Sequence, residues 1–254
     1  MTDAIYPSLK DQAIFISGGA SGIGASLVAH FARQGSRVGF VDLKDGPAQA
    51  LIADLAAQGL PKPIFRRCDL TDIPATQAAI AAIAAELGPI AVLVNNAADD
   101  TRHDWKDVTP DFWDNRMAVN LRHQFFAIQA IAPMMQAAKR GSIINFGSIS
   151  WHLKMGGMPA YTSAKAAIEA LTRSFARDLG ADGVRVNCII PGWIVTDRQR
   201  ELWLTPEAER ATIAAQCLKQ LLLPPDIARM VLWLAAEDSR MCTGQNWVVD
   251  GGWW

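Results

Sequence analysis

The 254-residue chain predicts an α/β fold: a doubly wound seven-stranded parallel sheet with helices on both faces, built as one domain over residues 1–254. Three observations point there. Short β-rich apolar runs alternate with longer Ala/Leu-rich runs of helical period. The apolar runs are nearly continuous, as strands buried on both faces require. A glycine-rich turn joins the first apolar run to the first helical one.

In order, the first strand is expected at Ala13–Ser17, an apolar run that enters Ser17-Gly18-Gly19-Ala20-Ser21-Gly22-Ile23-Gly24, with a helix over Ile23–Gln34 directly after. A β-rich run at Arg37–Val41 follows, ending on Asp42, and then a helix at Pro47–Gln58. The next pairs are Ile64–Arg67 with Pro74–Leu87, Ala91–Asn95 with Pro110–Gln136, and Gly141–Phe146 with Pro159–Leu179. The last strands are Arg185–Ile190 and Gln245–Val249, with a helix at Pro225–Ala236 before the final one. Several helices open on a proline, whose fixed φ suits a first turn. Strand and helix in strict alternation make right-handed crossovers and a parallel sheet. Only residues 192–223 break the alternation, with a mostly helical insertion after a strand's carboxyl end, the place for a substrate lid.

Composition narrows the function. Half of the residues are hydrophobic and 19% are charged, which excludes a disordered chain. A net charge of −1 offers no footprint for nucleic acid or an anionic membrane, so a small-molecule substrate is expected. The opening residues lack the basic and apolar regions of a secretory signal, and no apolar run reaches spanning length, so a cytoplasmic protein is expected. Cys68, Cys188, Cys217 and Cys242 are scattered without a C-x-x-C pair and are expected as free thiols. No metal site is expected: the histidines lack ligand spacing, and the run Asp99, Asp100, Arg102, His103, Asp104 reads as a solvated or substrate-edge loop.

The glycine turn is a phosphate cradle. Gly18 permits a tight bend, Gly22 a close approach to a pyrophosphate, and Gly24 close helix–strand packing, while the helix N-terminus offers N–H groups to the anion. Asp42, eighteen residues beyond Gly24, is placed to accept hydrogen bonds from an adenosine ribose, which argues for NAD. Nearby Lys44 leaves NADP use open. Asp69 and Leu70 are expected to edge the adenine pocket, and Asn95-Asn96-Ala97-Ala98 to support the middle of the cofactor. Tyr161 and Lys165 lie four residues apart and so share a helix face, with Ser148 thirteen residues upstream of Tyr161 at a strand end. An ammonium beside a phenol favours the phenolate, which equips the pair to deprotonate an alcohol.

As a set, Ser17-Gly18-x-x-x-Gly22-x-Gly24, Asp69, Asn95-Asn96-Ala97, Asn120, Ser148, Tyr161-x-x-x-Lys165 and Pro191-Gly192 resemble the short-chain dehydrogenase/reductase family over essentially the whole chain. Stretches at 4–10, 120–123 and 145–153 are similar to bacterial sugar 1-dehydrogenases of the D-xylose type. The resemblance implies a Rossmann-like fold, Tyr161 as general base, Lys165 lowering its pKa and binding the nicotinamide ribose, Ser148 holding the reacting oxygen, and Asn120 anchoring a relay water. It also implies cofactor contacts from Ser17, Gly18, Ser21, Gly22, Ile23, Gly24, Asp42, Asp69, Leu70, Asn96, Ala97, Pro191, Gly192 and Ile194. Ser17 stands for the usual threonine and Ala98 for the usual glycine. If that backbone needs a positive φ, the alanine is strained there.

For the substrate, Asp99, Trp151, His152, Trp193 and Trp203 join Ser148 and Tyr161, aromatic faces suiting a sugar's C–H faces and polar groups its hydroxyls. Trp253 and Trp254 are expected to be buried against another subunit of a homotetramer. The leading expectation is NAD-dependent oxidation of an aldose at C1 to the lactone. The alternatives are oxidation of a secondary alcohol on a sugar acid, reduction of a 3-oxoacyl thioester, and a non-catalytic NAD sensor. The complete set Asn120, Ser148, Tyr161 and Lys165 disfavours the sensor.

Overall fold

The computed structural model describes residues 4–254. Its strands are β1 (Ala13–Ser17), β2 (Arg37–Asp42), β3 (Ile64–Arg67), β4 (Val92–Asn95), β5 (Gly141–Phe146), β6 (Val184–Pro191) and β7 (Asn246–Val249). They form one sheet in the order β3-β2-β1-β4-β5-β6-β7, parallel at every pairing. Each end lies within one residue of the expected position.

Helices α1 (Gly22–Arg33), α2 (Asp45–Ala57) and α9 (Pro224–Ala235) cover one face of the sheet. There Ile14 and Ile16 of β1 meet Leu27, Leu55 and Val231. On the other face lie α3 (Ile73–Leu87), α5 (His123–Ala138) and α6 (Pro159–Leu179), where Phe15 and Val41 meet Ile83, Ile128 and Leu179. Successive β1 side chains thus enter opposite cores, the reason its sequence is apolar without alternation. Fully burying each such side chain contributes about 1.5–3 kcal/mol before entropy is counted.

The helix expected over Pro110–Gln136 is divided. α4 (Pro110–Met117) and α5 are joined by a π-turn, Ala118–Arg122. One wider turn leaves a carbonyl without its helical partner, and the Asn120 amide takes it, donating to the Arg116 oxygen at 3.0 Å. Periodicity alone does not reveal such a turn.

The direction of winding reverses between β1 and β4: β2 and β3 build outward on one side, β5 to β7 on the other. A crevice therefore opens beyond their carboxyl ends. Over it lies the insertion, containing α7 (Asp197–Leu202) and α8 (Pro206–Ala215) and returning to the body at an Ile194–Leu222 bridge. Thr196 and Thr205 cap these helices, accepting from Gln199 N at 3.3 Å and Ala208 N at 3.2 Å. Among the described residues, no helix is long and apolar enough to cross a membrane.

Candidate active site

A cleft of about 460 Å³, a volume within the range of small-molecule sites, runs from the glycine turn to the insertion. Gly18, Ser21, Ile23, Gly24, Asp42, Asp69, Leu70, Asn96, Ala97, Pro191, Gly192 and Ile194 line it. Ser17 and Gly22 do not. Ser17 is fully buried behind the turn, its Oγ accepting from Asn96 N at 3.1 Å and Ala97 N at 3.2 Å.

The cradle is held open by its glycines. Gly18 has φ +68°, and a Cβ at Gly24 would meet the Gly18 oxygen at 1.8 Å. The Asn96 amide braces the turn, donating to the oxygens of Ser17 and Gly18 at 3.1 and 2.9 Å. Asp42 closes the far end: its carboxylate accepts from Ala20 N at 2.9 Å and Lys44 N at 3.0 Å. A glycine-rich turn opening into a helix N-terminus, with a carboxylate at the end of the neighbouring strand, fits a dinucleotide. Ala98 lines the same wall and is not among the residues with positive φ, so the alanine is unstrained there.

At the other end α6 presents Tyr161 and Lys165 on one face, and the loop after β5 presents Ser148. The Ser148 hydroxyl accepts from Ser150 N at 3.2 Å, and its side chain lines the cleft together with that of Tyr161. Lys165 is buried, its Nζ 5.6 Å from the Tyr161 ring centre and donating to the Phe146 oxygen at 2.7 Å. Burial pulls Lys165 down to about 8, so it is mostly charged at neutral pH.

Burial, then the charges of Asp100 and Asp99, hold the Tyr161 phenol above its usual value, while Ser148 and Arg102 pull the other way. Lys165 directs a donor to the β5 carbonyl. Asn120 is fully buried and does not line the cleft. Its side chain accepts from Asp99 N at 2.9 Å and donates to Asp99 O at 3.1 Å, fixing the loop beside the site. Its neighbour Val119 reaches the cleft. His123, three residues on and not expected at the site, is fully buried against the Ala97 oxygen at 3.2 Å.

Between Tyr161 and the insertion the wall is polar. Asp99 pairs with Arg116 at 2.7 Å and Arg198 at 3.4 Å, while Asp100 accepts from Gln199 at 2.8 Å. Gln199 in turn accepts from Trp193 Nε1 at 2.8 Å. The hydrogen bonds of Thr101 and Arg116 hold the Asp99 carboxyl below its usual range despite burial. Arg102 contacts the Met158 sulfur and lies over Trp203, 5.5 Å from the ring centre. Of the expected substrate residues, Asp99, Ser148, Tyr161 and Trp193 line the cleft. Trp203 lies a layer behind, under Arg102, and Trp151 and His152 lie off the cleft on Glu169, at 2.7 and 2.9 Å.

Asp100, Arg102, Arg198, Gln199 and Trp253 also line the cleft and were not expected as contacts. The charge run at 99–104 was the available signal for the first two. Trp253 lines the cleft, and Trp254, 56% exposed, stacks on His152. Among the described residues, no group of three or more His, Cys, Asp or Glu side chains is placed to hold a metal ion.

A family model described as Enoyl-(Acyl carrier protein) reductase matches residues 18–254. The D-xylose 1-dehydrogenase of Caulobacter vibrioides (strain NA1000 / CB15N) is 50% identical over 253 residues, 100% of this chain and of its own. A Rhizobium meliloti (strain 1021) protein named "Probable galactose dehydrogenase GalD" is 48% identical, over 97% of this chain and 96% of its own. Among solved structures, a blue fluorescent protein from a metagenomic library in complex with NADPH matches with a TM-score of 0.86 at 33% identity, covering 97% of this chain and 99% of that one.

Proposed function

We propose that this chain, which belongs to the short-chain dehydrogenase/reductase family and is an oxidoreductase using a nicotinamide cofactor, oxidises the C1 hydroxyl of an aldose to the lactone with NAD. One observation carries the reading. Tyr161 and Ser148 line the same cleft as a glycine cradle and as the polar wall of Asp99, Asp100, Arg198 and Gln199. Two relatives named for sugars support that substrate class.

Gly18, Ser21, Ile23 and Gly24 would hold the cofactor's phosphates and Asp42 its adenosine ribose. Asp42 favours NAD because its charge repels a 2′-phosphate. The nicotinamide held there would supply the acceptor for the hydride that leaves C1. Ser148 holds the reacting oxygen, and Tyr161 takes its proton as the carbonyl forms. Lys165, charged below about pH 8, contributes positive potential beneath the phenol. Asn120 acts indirectly, by fixing the Asp99 backbone. The polar wall and the Trp193 ring orient the sugar, so that geometry supplies much of the rate.

Absorbance at 340 nm with a panel of pentoses, hexoses, sugar acids and simple alcohols, each with NAD and NADP, tests the assignment. Aldose turnover with NAD at the higher kcat/KM is expected. Turnover confined to sugar acids would transfer the assignment to the secondary-alcohol reading. We place the enzyme in the cytoplasm as a homotetramer, and light scattering of the active fraction reads that mass directly; a monomer mass removes the assembly.

A further inference from the structure

The wall of the cleft beside Ser148 includes Trp253, which packs on Ile149 and its neighbours Ile168 and Ile190. This indole is fixed from several directions. Asp250, 5% exposed, accepts from the backbone N–H groups of Gly252, Trp253 and Trp254 at 2.8, 3.1 and 2.7 Å. The resulting curl sends the two indoles to different sides. Trp254 stacks on His152 with ring centres 3.6 Å apart and planes 28° apart, and Trp151 covers His152 with centres 3.6 Å apart at 31°.

Beneath that stack lies Glu169, 7% exposed, two helical turns past Tyr161 on α6. It accepts from Trp151 Nε1 at 2.7 Å, His152 Nε2 at 2.9 Å and Asn246 Nδ2 at 2.6 Å. The end of the insertion joins the same assembly: Cys217 N donates to Gly252 O at 3.1 Å and Leu218 N to Gly251 O at 2.9 Å. The helix that carries the base, the loop that carries Ser148 and the end of the insertion therefore all grip the segment that carries Trp253.

We propose that Trp253 sets how large a sugar the cleft accepts, and that Trp254 and His152 are positioning residues that hold it in place. The inference rests on the aldose reading and names what the site measures: the bulk of the sugar. A flat ring suits the C–H face of a sugar, and a ring so firmly held does not yield to an added hydroxymethyl group. One extra carbon group against a rigid wall typically changes kcat/KM by about 10–200-fold.

The test compares kcat/KM for D-xylose and D-glucose, which differ by one hydroxymethyl group, together with KM for NAD, in the unaltered enzyme and in Trp253→Ala, Trp253→Phe, Trp254→Ala and Trp254→Phe. Trp253→Ala is expected to raise the glucose-to-xylose ratio at least about tenfold through the sugar KM, with KM for NAD within about twofold. Trp254→Ala moves the ratio the same way by less, and Trp254→Phe, which keeps a stacking ring, restores it. If Trp253→Ala does not fold, Trp253→Phe and Trp254→Ala carry the test, with about a threefold rise expected. A merely structural role lowers both sugars and NAD together and leaves the ratio unchanged; that result overturns the inference alone. Failure of the unaltered enzyme to oxidise any aldose overturns the function and this inference with it.

Discussion

Burial shifts the proton affinity of three side chains at the site, the base included. Tyr161 is held above its usual value and Lys165 is drawn down to about 8, each because the interior disfavours its charged form. His123 shows the effect most strongly: burial, and then the charge of Lys165, push it down to about 3, so it stays neutral with its Nε2 on the Ala97 oxygen. Its folded pKa lies below its unfolded one, so the unfolded chain binds a proton that the folded chain refuses. The resulting stability is complete above pH ~6.5 and is lost as the pH falls toward the folded value. By pH 5 the loss from this residue should reach about 2 kcal/mol. Urea unfolding at pH 7 and pH 5 checks it, the unaltered protein losing more than His123→Gln by that amount. Equal losses in both proteins would exclude His123 as the source.

Among the elements, what could be read from the chain is what short-range geometry fixes. Tyr161 and Lys165 share a face because four residues make just over one helical turn, and the turn after β1 needs its glycines because a Cβ at Gly24 meets backbone. The insertion over 192–223 was visible as broken alternation, and its α7 side chains Arg198 and Gln199 reach the Asp99–Asp100 loop. Hidden were the features set by distant partners. The π-turn at Asn120 depends on the Asp99 backbone, twenty-one residues away. Trp151 and His152 follow Ser148 closely in sequence, yet Glu169 and Trp254 draw them off the cleft. No local pattern marks a ring that will stack on the chain's last residue.

At the scale of the whole molecule, the order of strands decides where chemistry occurs. The reversal between β1 and β4 opens the crevice, the glycine turn enters it from β1, and Ser148 enters from the end of β5 with α6 alongside. Cofactor cradle and base thus meet only because the sheet is wound in both directions. The central claim is that the Tyr161 phenol takes the alcohol's proton there. Steady-state kinetics of Tyr161→Phe on the favoured aldose, beside calorimetric titration with NAD, test it most directly, since the substitution removes one hydroxyl and leaves the ring in place. The account predicts a loss of kcat of at least about a hundredfold with NAD affinity within about threefold. A variant that keeps most of its turnover would contradict it.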